Sequence, residues 1–206
     1  MEEYLSSSEH EILIHLLSDL NDSKQQSASS LLAEMKAKEY AILALNQRSE
    51  TDEIPPGFYS DSIFYKLVWS LEMEVPVINS YSDIKNTGKT SLITNEQIRR
   101  RFTNLELSIN NLGSQVNDRL RVQQLRMDGM VVNELNFVRM ISTVIPEISV
   151  KHEPENNYHL FLEDQRIRNL IAVKLSLTNE VIGYRQALDA EIESLIAMLE
   201  EEISAF

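Results

Sequence analysis

The sequence has no cysteine, only five glycines and five prolines, and no long apolar run. Without cysteine there is neither a disulfide nor a thiolate metal site. Glycine averages about 7% of residues in ordinary proteins. So little glycine excludes an open α/β sheet, which places it at many βα turns, and a β-sandwich, which needs turn residues every few strands. No stretch reaches the roughly 18 apolar residues that cross a bilayer. The opening Met1-Glu2-Glu3-Tyr4 lacks the basic and apolar segments of a signal peptide. The four histidines, His10, His15, His152 and His159, show no metal-ligand spacing, and Glu-x-x-His does not occur. There is also no Gly-x-Ser-x-Gly, no P-loop and no dinucleotide fingerprint. The expectation is therefore a chain that is not an enzyme, with no metal and no cofactor.

Bases are scarce as well. Lys and Arg number 19 against 32 Asp and Glu, a net charge of −13. That balance disfavours nucleic acid and anionic lipid as partners. The charge is uneven. Residues 96–126 carry six arginines and three acids, whereas residues 189–206 carry six acids and no base. Basic and acidic helices of this kind complement each other in a bundle.

What the chain does have is helical period. Ile98, Phe102, Leu105, Ile109, Leu112 and Val116 are spaced by alternating fours and threes, an a/d seam. The pattern predicts a central helix over 95–140, roughly 65–70 Å long at 1.5 Å per residue. It continues through Leu120, Leu125, Val131, Leu135 and Val138 with a drifting seam. Gly113 and Gly129 inside it suggest a bend, a close crossing or a fray, at a cost of roughly 1 kcal/mol each. A first long helix over 2–50 carries Leu5, Ile12, Leu13, Leu16, Leu17 and Leu20, then Ala28, Leu31, Leu32, Met35, Leu43 and Leu45. A third over 164–204 carries Ile167, Leu170, Leu177, Val181, Tyr184, Leu188, Ile192, Leu195 and Leu199, with Lys174 as a polar register residue. Short helices are expected over 61–73 and 80–87, a proline-rich loop at 51–57, and a loose connector over 143–160. The fold expected is all-α: one domain over 1–206, an elongated antiparallel bundle of three long helices with two short helices at one end.

Local signals mark the joint before the central helix. Lys85 suits the last turn of the second short helix, Gly88 the left-handed C′ position after it, and Thr94 with Gln97 a capping box around Asn95. Arg99-Arg100-Arg101 lies one turn into the central helix, where an anion would be welcome, although three consecutive arginines point three ways. Tyr59, Phe64, Tyr65, Trp69 and Tyr81 either cap the core or line a pocket. Tyr65, Trp69, Tyr81 and Arg99 are the candidate ligand-binding set.

The segments Tyr81 to Gly88 and Leu92 to Arg99 resemble the best-kept stretch of an uncharacterised bacterial family. Its pattern is an aromatic or small residue with Leu-Lys-Ser-Ser-Gly, followed by Ile-x-Asn-x-x-Leu-Arg. Asn169-Leu170-Ile171-Ala172, Tyr184 and the closing Met198 to Ile203 are similar too, as is the acidic first helix with its Leu-Leu-Ser-Asp-Leu. The resemblance implies a helical domain on the periplasmic face of a bacterial inner membrane, normally tethered by one N-terminal membrane helix of which this sequence shows none. It implies no activity. Together, residues and resemblance predict a non-enzymatic interaction or scaffold domain that binds a protein partner or itself. The alternative is a sensory bundle that binds a small molecule.

Overall fold

The computed structural model describes residues 2–46 and 54–206. Its regular structure is helical, with no strand among the described residues. Helix α1 (Glu2–Asn46) is followed by α2 (Asp61–Phe64), which runs into a π-helical turn at Tyr65–Trp69. Then come α3 (Asn79–Asn86), a 3₁₀ turn at Thr90–Leu92, and α4 (Glu96–Val122). A second π-helical turn, Gln123–Met127, joins α4 to α5 (Asp128–Glu134). The chain closes with α6 (Phe137–Ile141), α7 (Tyr158–Glu163) and α8 (Gln165–Ser204). The expected end of the first helix at 47–50, and 51–53 of the expected loop, lie outside the described residues.

The buried seams of the three long helices keep strict three–four spacing, but several positions are polar. In α8 the buried series is Ile167, Ile171, Lys174, Thr178, Val181, Arg185, Leu188, Ile192, Leu195 and Leu199. In α4 it is Ile98, Phe102, Leu105, Leu112, Val116, Arg119 and Gln123, with half-buried Ile109 in the gap. In α1 it runs from Glu9 through Leu13, Leu16 and Leu20 to Ser23, Ser27, Ser30 and Glu34, and later Ala41 and Ala44. The apolar residues expected in these stripes are partly displaced. Leu32, Met35, Leu125 and Tyr184 are exposed, and Leu170 and Leu177 are only half-buried. Following apolar residues alone leaves the seam wherever serine, glutamate, arginine or lysine occupies it.

The drift expected after Val116 has a cause. Up to Gln123 the spacing is regular, and beyond it the buried residues are Met127, Val131 and Leu135, four apart. A π-helical turn adds one residue to the helix and shifts its face by that residue. The helix then stops at Leu135, whose φ of −125° and ψ of 150° are extended. The Asn136 amide is captured by Asn156 Oδ1 at 2.7 Å. The single helix expected over 95–140 is therefore α4, a π turn and α5, with α6 as a separate piece. Likewise, the short helix expected over 61–73 ends at Trp69, and α7 begins at Tyr158, inside the connector expected over 143–160.

The chain divides into two compact units. The first comprises Met1–Leu32, Glu74–Ser114 and Ile182–Phe206. In it, carboxylates of α1 hold the start of α3 and the residues just before α4. Asp19 Oδ2 accepts the Ser80 amide and hydroxyl, each at 2.7 Å. Glu9 Oε1 accepts the Thr94 amide at 2.6 Å and its hydroxyl at 2.8 Å. The cap of α4 is Asn95 rather than Thr94, because Asn95 Oδ1 accepts the Gln97 amide at 3.0 Å. Gly88, at φ +70°, ends α3 in a Schellman motif, with Lys89 N–H bonded to Ile84 O and Gly88 N–H to Lys85 O. Lys85 itself pairs with Glu106 at 2.6 Å.

The second unit comprises Ala33–Met73 and Gln115–Val181. Its core joins Leu67, Val131 and Ile171 to an aromatic group in which Phe64 stacks on Tyr158 at 3.9 Å. The Tyr158 hydroxyl donates to Asp61 Oδ1. Burial pushes the Asp61 carboxyl up, but hydrogen bonds from Tyr158 and Asn156 and the Arg139 charge outweigh it and leave the pKa lowered.

Two substitutions test these local assignments. Asn95→Ala should lower unfolding free energy by about 1 kcal/mol, whereas Gln97→Ala should change it by less than about 0.5 kcal/mol. Equal losses would restore the capping box at Thr94. A Cβ at Gly113 would meet nothing within 4 Å, so Gly113→Ala should stabilise the protein by roughly 0.5–1 kcal/mol in denaturant melts. A loss would mean that the glycine serves a close crossing.

Candidate functional site: a buried polar cluster

The two π turns and the polar seam positions meet a segment without regular structure. After Trp69 the backbone turns extended, with Ser70 at φ −63° and ψ 140°. The Ser70 amide closes the π turn onto Tyr65 O at 2.9 Å, and the segment from Leu71 to Val77 has no regular structure. Its inward carbonyls need donors, since an unpaired buried carbonyl costs about 1–3 kcal/mol. Two seam side chains, Lys174 and Arg119, supply them, and a third, Gln123, serves the π turn just before. Gln123 Nε2 donates to Val68 O at 2.8 Å, Lys174 Nζ to Ser70 O at 3.0 Å, and an Arg119 Nη to Glu72 O at 2.5 Å. Another buried side chain, the cation Arg168, does the same for the end of α1, donating to Ala44 O at 3.4 Å and to Leu45 O. Helix C-terminal carbonyls lack intrahelical partners and carry partial negative charge, so a cation suits them.

Arg119 is only 2% exposed and is held by Glu34 in a bidentate pair with contacts of 2.6 and 2.7 Å. Thr178 Oγ1 lies 3.5 Å from the same guanidinium. Such a pair fixes direction as well as charge. Lys174 is 5% exposed and, among the described residues, has no carboxylate in hydrogen-bond contact. Burial, together with the Arg119 charge beside it, pushes its amine down to about 7, against the weaker pull of Glu34 and Asp128. Next to this cluster is a cavity of about 200 Å³. Lys174, Arg119, Glu34, Thr178 and Ser70 form its polar wall, and Ala33, Ala37, Leu71 and Tyr40 its apolar one.

The expected site residues fall in different places. Tyr65 and Trp69 belong to the second unit, and Tyr81 and Arg99 to the first. Trp69 packs on Phe137 with ring centroids 4.4 Å apart, and Tyr81 stacks on Phe102 at 4.7 Å and 14°. The three arginines have three destinations. Arg99 donates to the carbonyls of Ile93 and Thr94, Arg100 pairs with Glu96 at 2.6 Å, and Arg101 pairs with Glu191 at 2.8 Å. None of the four candidates lines the 200 Å³ cavity. The signal that finds the cluster is seam spacing. Glu34 is seven residues beyond Ser27, Arg119 three beyond Val116, and Lys174 seven beyond Ile167, each where an a/d residue belongs. Among the described residues, no group of three or more His, Cys, Asp or Glu is placed to hold a metal ion. No described helix is long and apolar enough to cross a membrane.

No family of known sequences, no curated protein and no solved structure matches this chain.

Because Arg119 is buried with its counter-ion, Glu34→Ala should cost about 3–5 kcal/mol, the price of an uncompensated buried charge. The double substitution Glu34→Met with Arg119→Met should cost less than Glu34→Ala alone. Urea unfolding of the three proteins checks the order, and a double variant weaker than Glu34→Ala would show that the pair contributes more than mutual compensation.

Proposed function

We propose that this chain is a non-enzymatic helical interaction domain whose partner is a second copy of itself. One observation carries the reading. In the second unit, α1 turns Met35 and Ile42 to solvent, 52% and 39% exposed, while Glu34, Ala41 and Ala44 of the same helix face inward. Met35 and Ile42 are seven residues apart, the repeat of a packing seam. Exposed Glu39, four residues from Met35 and three from Ile42, lies on the same face. Leu125 and Val132 repeat the seven-residue spacing, at 84% and 51% exposure. The antiparallel arrangement of the long helices belongs to the same reading. Its support is the pairing of Asn95 with Glu202 and of Arg101 with Glu191, in which partner numbers fall as α4 advances. The periplasmic setting and membrane tether rest on the family resemblance of Tyr81–Gly88 and Leu92–Arg99.

A second reading has its own observation. The 200 Å³ cavity beside Lys174 favours a domain that binds a small molecule between its helices.

Sedimentation of the purified protein over a concentration series tests the first reading. The wild type should run as a dimer, and Met35→Glu with Ile42→Glu should run as a monomer with its melting temperature within a few degrees of wild type. A monomeric wild type at high concentration, or a dimer that survives both substitutions, would refute this interface.

A further inference from the structure

The lining of the Lys174 cavity shows the kind of molecule that fits. It carries four cationic side chains, Lys36, Lys66, Arg119 and Lys174, against two carboxylates, Glu34 and Glu72. Arg119 and Glu34 neutralise each other in their bidentate pair. The charge left over is positive. Lys174 is more than nine-tenths buried, donates one N–H to Ser70 O and, in its protonated form, lines the cavity with two further donors. Arg119 also lines the cavity, and its Nε makes no hydrogen bond among the described residues. Opposite in character are Ala33, Ala37, Leu71 and the Tyr40 ring. Inorganic anions have no use for such a wall, whereas a hydrocarbon body does. The size is also limiting. An apolar cavity of about 150 Å³ holds benzene, so about 200 Å³ suits a single ring or a short branched chain with one polar head.

We propose that this cavity is a binding site for a small monocarboxylate with a compact apolar body, its carboxylate held by Lys174 and its body set against Ala33, Ala37 and Leu71. This rests on the second, ligand-binding reading. It differs from the aromatic set Tyr65, Trp69 and Tyr81 in place and in chemistry, because recognition here is by a buried cation.

The test uses benzoate, with benzyl alcohol, benzylamine and inorganic phosphate as comparisons, titrated into the isotope-labelled protein by NMR. Benzoate should saturate and shift resonances of Ala33, Ala37 and Thr178, with the other three at least ten-fold weaker. Lys174→Met should weaken benzoate at least ten-fold while circular dichroism stays that of the wild type. If that variant does not fold, Lys66→Met should weaken benzoate about three-fold, and Ala37→Phe should abolish the shifts by filling the space. Preferential binding of benzyl alcohol or benzylamine at the same residues would overturn the carboxylate assignment and keep the ligand-binding reading. Tighter binding of phosphate would overturn the apolar-body assignment in the same way. No shift at these residues with any probe would overturn both.

Discussion

The polar centre of the seam is the constraint on which the second unit depends. A helical seam filled with leucine needs nothing more than shape. Here the segment after Trp69 runs against the helices without regular structure, its carbonyls are met by Lys174 and Arg119, and Gln123 meets that of Val68 in the π turn before it. Each donor sits at a seam position, so each is buried because the helix is buried. Arg119 then needs Glu34, and Lys174 gives up part of its affinity for a proton. The cavity follows from the same cause. Long polar side chains anchored at backbone carbonyls do not fill space as densely as leucine does.

The π turn at Gln123–Met127 belongs to this arrangement. It lets α4 present Arg119 and Gln123 inward and then restarts the buried face at Met127 and Val131. Without the extra residue the seven-residue repeat would carry the chain on to Arg126 and Met130. Arg126 is exposed and Met130 half-buried. A face that changes phase at this point permits an aromatic core around Phe64 and Tyr158 as well as the polar cluster above.

Helical character was legible in the sequence because few glycines and a three–four repeat leave little else. The end of α3 was legible too, since Gly88 is a glycine where a positive φ is required. The buried face was legible only where it is apolar. Leu32 and Met35 look like seam residues, yet Ser30 and Glu34 take the buried positions, because the phase set by Leu13, Leu16 and Leu20 continues unbroken. Period outranks hydrophobicity there, and that shift of one or two residues exposes Met35. The cluster itself was out of reach of a search for motifs, because its donors serve backbone carbonyls whose positions no side-chain pattern records. Lys174 alone was visible, as a break in a seam.

The most direct test of this account is the pKa of Lys174 in the folded protein, measured by NMR titration of its side chain. Burial beside Arg119 without a carboxylate in contact should place it near 7, well below the roughly 10.4 of a free lysine. A value above 10 would mean that the amine reaches water or a carboxylate, and its burial on the clamp to Ser70 would then not stand.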